Sequence, residues 1–187
     1  MQPKYIDSVR KNIIKSDEEF YSKFLEKYRE KKIVEVGCFN SPLLESYNAR
    51  TIGYDLCVPT RYEKHDGYKL VDFMEAKLSH REFDVSICKD SHMYFADPFA
   101  LVRKMQHCSN TVVLSSIEPN CYPYLLKLAS STVKRCAMVL GVRNWDLDYK
   151  NVEPLINLIE CSNFGTFIEL ERSDTRLTIT IKRKIDV

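Results

Sequence analysis

Several features are scarce in this chain of 187 residues, and each scarcity excludes something. There is almost no net charge: 28 Lys and Arg face 26 Asp and Glu, giving +2 at neutral pH. A near-neutral balance gives no global case for nucleic acid, although a local basic patch is still allowed. No run approaches the roughly 20 apolar residues of a membrane span. The first twenty residues hold no apolar core of the signal-peptide kind. Glycine is sparse, at 5 residues. No Cys-x-x-Cys occurs among Cys38, Cys57, Cys88, Cys108, Cys121, Cys136 and Cys161, so no zinc pattern is present. An odd number of scattered cysteines without a leader reads as reduced thiols in a cytoplasmic protein, several of them buried.

What remains is ordinary globular composition. Hydrophobic residues make up 44% and charged residues 29%, as in a folded domain with a real core. The first thirty residues predict two helices that pack on the rest. Tyr5, Ile6, Val9, Ile13 and Ile14 recur at helical spacing, as do Phe20, Tyr21, Phe24, Leu25 and Tyr28. Ser16 and Glu19 form a capping box that would start the second.

From residue 31 onward, strands and helices alternate. Ile33–Val36 ends at Gly37 and reads as a buried strand. A short helix is expected over 41–47. Strands follow at Thr51 to Asp55, Lys69 to Asp72, Phe83 to Cys88 and Thr111 to Ile117. Asp97-Pro98 caps a helix that runs to about His107. Further helices are expected over 123–139 and 151–162. Phe164 to Glu171 and Arg176 to Lys182 flank a polar turn and read as an antiparallel hairpin. The order implies an α/β fold, Rossmann-like and doubly wound, with a mostly parallel sheet of seven strands.

In such folds ligands bind beyond the carboxyl ends of the strands. Those ends carry Glu35-Val36-Gly37-Cys38, then Asp55, Asp72, Lys89-Asp90 and Glu118. A glycine turn followed by an acid at the next strand end suits a ligand with a ribose, whose hydroxyls the acid accepts. A pyrophosphate cradle would want more glycine than this loop has, which disfavours nicotinamide and flavin dinucleotides. S-adenosylmethionine has a ribose and no phosphate, so it needs less bare backbone.

At these residues the chain resembles the class I S-adenosylmethionine-dependent methyltransferases, over about residues 31 to 183. Lys32 to Cys38 is similar to that family's first motif, and Thr51 to Asp55 to its second strand with the ribose-binding acid. Val71-Asp72-Phe73 is similar to the third motif, and Phe83 to Asp90 to the fourth strand and the loop after it. The resemblance implies cofactor contacts at Glu35, Gly37, Cys38, Phe39, Asp55, Leu56, Asp72, Phe73 and Lys89. It implies that a methyl acceptor meets the cofactor beside Asp90 and His92, either of which would remove the acceptor's proton. The chain departs from the family in two places. Phe39 stands where a glycine is usual, and Met93-Tyr94 where many relatives have Glu-His.

Each candidate also has a purely structural counterpart. Glu35 is then a buried polar residue, Asp55 and Asp90 are caps, and Cys38 is a small core residue. Glu118, Tyr122 and Tyr124 form a second candidate group beyond the fifth strand. Lys127, Lys134, Arg135 and Arg143 near Trp145 would be a nucleic-acid surface or, more simply, a solvated helix face. The leading expectation is a methyltransferase with an unidentified acceptor. The rivals are a non-catalytic partner subunit of the same fold, a nicotinamide-dependent oxidoreductase and a nucleic-acid-binding module.

Overall fold

The polypeptide alternates as the pattern requires, and its strands form one sheet. The structure, a computed structural model, describes residues 3–38, 43, 50–56, 65–92, 95–117, 166–173 and 176–183. Phe39, Met93, Tyr94, Glu118, Tyr122, Tyr124, the basic 127–143 segment, Trp145 and the helices expected over 123–139 and 151–162 lie outside these residues. So does the 41–47 helix apart from Leu43.

The elements are α1 (Pro3–Tyr28), β1 (Ile33–Val36), β2 (Thr51–Asp55), β3 (Tyr68–Leu70), β4 (Phe83–Lys89), α2 (Pro98–Cys108), β5 (Ser109–Ile117), β6 (Thr166–Arg172) and β7 (Arg176–Arg183). The sheet has seven strands in the order β3-β2-β1-β4-β5-β7-β6. The first five run parallel to one another, and β7 runs antiparallel to both β5 and β6. The order reverses between β1 and β4, so the switch point lies where these two strands end.

The two helices expected in the first thirty residues are one, α1, of 26 residues. No Gly or Pro interrupts it after Pro3. Glu19 reaches back to Lys15 across one turn, at 3.6 Å, instead of capping a new helix at Ser16. β3 ends two residues before the expected Asp72. Val71 donates to the Lys69 carbonyl at 3.0 Å, and Asp72 Oδ1 accepts the Met74 amide at 2.8 Å, so the chain turns instead of extending.

Apolar residues cover both faces of β1, which is why all four of its residues are buried. On one face α1 lays Phe24 and Tyr28 over Ile33, Leu43, Val85, Ile87 and Val113. On the other, α2 buries Leu101, Val102, Met105 and Cys108 against Val34, Val36, Val112, Leu114 and Ile179. Asp97 caps α2, accepting the amides of Phe99 at 2.9 Å and Ala100 at 3.0 Å. Among the described residues no helix is long and apolar enough to cross a membrane.

Replacing Asp97 with Ala removes both cap bonds. The expected cost is about 1 kcal/mol, read as a lower urea midpoint with an unchanged slope.

Candidate functional site

Parallel pairing sets the strand ends side by side. Val36 is level with Tyr54 and with Cys88, and Asp55 is level with Leu70. Gly37, Asp55, Asp72 and Lys89 to His92 therefore share one edge of the sheet.

Gly37 adopts a φ of 72°, in the left-handed region that favours glycine. It also has no room for a side chain. A Cβ there would lie 2.2 Å from the Ser91 hydroxyl oxygen. That hydroxyl donates to the Val36 carbonyl at 2.8 Å and lies 3.1 Å from the Cys88 Sγ. Thus the loop after β1 and the loop after β4 touch through one glycine and one serine. Gly37 is legible from its spacing, but Ser91 is not, since nothing in the sequence says that residues so far apart meet.

The other residues implied as cofactor contacts divide into two groups. Glu35 is 1% exposed, a carboxylate inside an otherwise apolar strand. Such burial is costly and is rarely kept for packing alone. Asp55 is partly buried at the end of β2, and the Leu56 beside it is 46% exposed. Leu70 and Val71, at the end of β3, are exposed as well, so an apolar surface adjoins the Asp55 carboxylate. Asp72 uses one oxygen to fix its own turn. Cys38 and Phe73 are core residues. Burial pushes the Cys38 thiol well above its ordinary pKa, helped by Glu35 and Asp55, which leaves it an unreactive thiol. Phe73 packs edge-on against Tyr54, with ring centroids 5.7 Å apart, under the Lys104 ammonium.

Lys89 and Asp90 belong to a four-charge cluster. Arg176, at the start of β7, holds Asp90 with both terminal nitrogens, at 3.0 and 3.1 Å. Lys89 Nζ lies 2.7 Å from the same carboxylate and 3.3 Å from Asp17 of α1. Asp17 in turn pairs with Arg176. Arg176 also donates to the Ser115 hydroxyl at 3.0 Å. Two rings of α1 complete the contact, Phe20 beneath Arg176 and Tyr21 beneath Lys89. Burial alone would raise the Asp90 pKa. Lys89 and Arg176 more than offset this, and the pKa falls to about 2. Asp90 is therefore a permanently ionised, fully engaged carboxylate and a weak base. Asp17 and Arg176 escaped the sequence reading. Alternation of Leu177, Ile179 and Ile181 does place Arg176 on the opposite face of β7, toward α1, but it names no partner.

His92 sits one residue beyond Ser91 and is 4% exposed. Its Nδ1 has no hydrogen-bond partner among the described residues. Burial pushes its pKa down, with Asp90 opposing the shift, so the ring is neutral near pH 7. Among the described residues no group of three His, Cys, Asp or Glu side chains could hold a metal ion.

No protein-family model matches the sequence, and no curated protein matches it. Solved structures do match in fold. The plantazolicin methyltransferase BpumL, in complex with S-adenosylhomocysteine, is similar over 97% of this chain and 90% of its own, with a TM-score of 0.60 and 14% identity. A protein from Methanococcus maripaludis, assigned to the S-adenosylmethionine-dependent methyltransferases, is similar over 98% and 93%, with a TM-score of 0.62 and 9% identity. The magnesium protoporphyrin IX methyltransferase of Synechocystis PCC 6803, with bound S-adenosylhomocysteine, is similar over 95% and 86%, with a TM-score of 0.56 and 14% identity. The chain thus has the fold of the class I methyltransferases.

Two outcomes follow from this geometry. Gly37→Ala meets both the positive φ and the Ser91 hydroxyl, so it should destabilise by more than about 1 kcal/mol. Adding Ser91→Gly should recover part of the loss, read from the two urea midpoints. The His92 sign is equally definite. Its folded-state pKa lies below its unfolded value, so the unfolded chain takes up the proton first as pH falls. The stability present above about pH 6.5 is then lost toward the folded pKa, by at most about 1.4 kcal/mol per pH unit. His92→Gln should remove that part of the slope when urea midpoints at about pH 7.5 and 5.5 are compared.

Proposed function

We propose that the protein is an S-adenosylmethionine-dependent methyltransferase. One observation carries the reading. The strand order reverses beside a glycine in the left-handed region, and the next strand ends in a carboxylate next to an exposed apolar surface. The donor set suits the cofactor. Asp55 would accept the ribose hydroxyls, and Leu56 would lie against the adenine face. The Gly37 loop and Glu35 would hold the methionine end, with Asp72 beside the base. When bound, the cofactor supplies an electrophilic methyl group on a sulfonium.

The chain's own part is alignment and proton removal. Lys89 and Asp90 would position the loop after β4 instead of reacting, because each is held by charged partners. His92 is the better base of the two candidates, being neutral near pH 7 with a buried Nδ1 that has no hydrogen-bond partner among the described residues. It would take the acceptor's proton as the methyl group transfers. The buried thiols Cys38, Cys88 and Cys108 fit a reducing, cytoplasmic setting.

Calorimetric titration with S-adenosylmethionine and S-adenosylhomocysteine tests the reading. Both should bind, and Asp55→Ala should weaken each by about tenfold or more, or about 1.4 kcal/mol. Absence of binding to well-folded protein would favour the non-catalytic partner subunit.

A further inference from the structure

The opposite edge of the sheet, where β4 and β5 begin, carries a groove of its own. Residues 76–79 form one wall and α2 forms the other. Lys77, Arg103, Lys104 and His107 are the ionisable groups that line it, and among the described residues no carboxylate does. Elsewhere Lys27, Arg50, Lys89, Arg176 and Lys182 each meet a carboxylate. Lys77 and Arg103 are exposed and meet none among the described residues. Lys104 is fixed in place, since its Nζ donates to the Met74 and Ala76 carbonyls, both at 2.7 Å. Glu82 belongs to the same stretch of chain but is turned to other work. It accepts the Ser79 amide at 3.0 Å and lies 3.8 Å from Lys32.

These cations are not needed to close the end of α2, because its last carbonyls have other donors. Met105 accepts the Ser109 hydroxyl at 2.7 Å, and His107 accepts the Arg81 amide at 2.9 Å. The second of these bonds is notable for its donor. Arg81 has a φ of 54°, which a bulky side chain seldom adopts. A costly turn of this kind persists where its surroundings hold it. This one sets the exposed ring of His80 against the exposed ring of His107, with centroids 5.1 Å apart and planes at 55°. Arg103 and His107 are four residues apart on α2, about 6 Å along its axis. Two imidazole faces thus stand at the end of a short row of cations.

That combination has a chemical reading. Ammonium and guanidinium groups without carboxylates suit phosphodiester oxygens, and exposed rings offer faces to bases. An unpaired base can reach such a face, whereas a base inside a duplex cannot.

We propose that this groove binds a single strand of nucleic acid, with phosphates against Lys77, Arg103 and Lys104 and a base against the His80–His107 pair. The groove lies on the edge away from Gly37 and Asp55, so this binding requires neither cofactor nor methyl transfer.

Fluorescence anisotropy of the full chain without cofactor tests this. The probes are a labelled oligouridylate of about ten residues, its duplex with oligoadenylate, and tripolyphosphate as a competitor. Three phosphate contacts predict that raising potassium chloride from about 50 to about 200 mM weakens the single strand about twentyfold. Lys77→Glu with Arg103→Glu should weaken it at least about tenfold, and both side chains are exposed, so the fold is kept. Lys11→Glu with Lys23→Glu makes the same change of net charge on α1 and should alter affinity by less than about twofold. His80→Ala with His107→Ala should weaken the single strand by about fivefold or more and leave tripolyphosphate binding unchanged. No binding at about 100 μM protein and low salt would overturn the proposal. Equal weakening by the two pairs of charge reversals would do so too, because binding would then follow net charge alone. Tripolyphosphate that competes as well as the strand would reduce the groove to a site for free phosphate. A duplex that binds as tightly would remove the role of the rings, and either result would sink the idea.

Discussion

The cluster of Asp17, Lys89, Asp90 and Arg176 is the constraint on which the rest of this edge depends. It joins three parts of the chain that have no sequence proximity: α1, the end of β4 and the start of β7. The Arg176–Asp90 contact spans 86 residues, and Arg176–Asp17 spans 159. Each acid faces two cations and each cation two acids, so the four charges balance. Balance matters because Arg176 is almost fully buried, and an unpaired buried charge costs several kcal/mol. Aromatic faces beneath both cations complete their surroundings. Asp90 itself has a φ of 56°, tolerable for an aspartate, and its amide bonds to the Ser115 carbonyl at 2.8 Å. Backbone and side chain together hold the turn after β4 in one conformation.

The same cluster fixes how α1 sits on the sheet. Its aromatic stripe supplies burial, which is indifferent to a slide of one turn along the sheet. The pairing of Asp17 with Lys89 and Arg176 is not indifferent, and so it sets the register of helix on sheet. Burial provides the attraction, and charge provides the position.

Much of the fold was legible from local pattern. Apolar runs ending at Gly37 and Asp55, and the cap at Asp97, have causes contained in a few neighbouring residues. The start of α1's second half misled because Ser16 and Glu19 carry a cap signature that also occurs inside an uninterrupted helix. The end of β3 misled because Asp72 bonds forward to Met74, a competition between turn and strand that periodicity does not register. At the site, Gly37 and Asp55 were visible through their spacing. Arg176, Asp17 and Ser91 were not, because each acts through a contact between distant segments. Asp90 stands after β4 as its place in the sequence implied, but its charge partners change what a carboxylate there can do.

The meeting of Gly37 and Ser91 has a mechanical consequence. The Ser91 hydroxyl occupies the space that any other residue at position 37 would need for its Cβ. The turn after β1 and the turn after β4 therefore behave as meshed parts and not as independent loops. A displacement of a few tenths of an ångström in the first must be passed to the second, because close-packed atoms transmit strain instead of absorbing it. His92 is the next residue along, so whatever seats itself against the Gly37 turn also sets the aim of the imidazole.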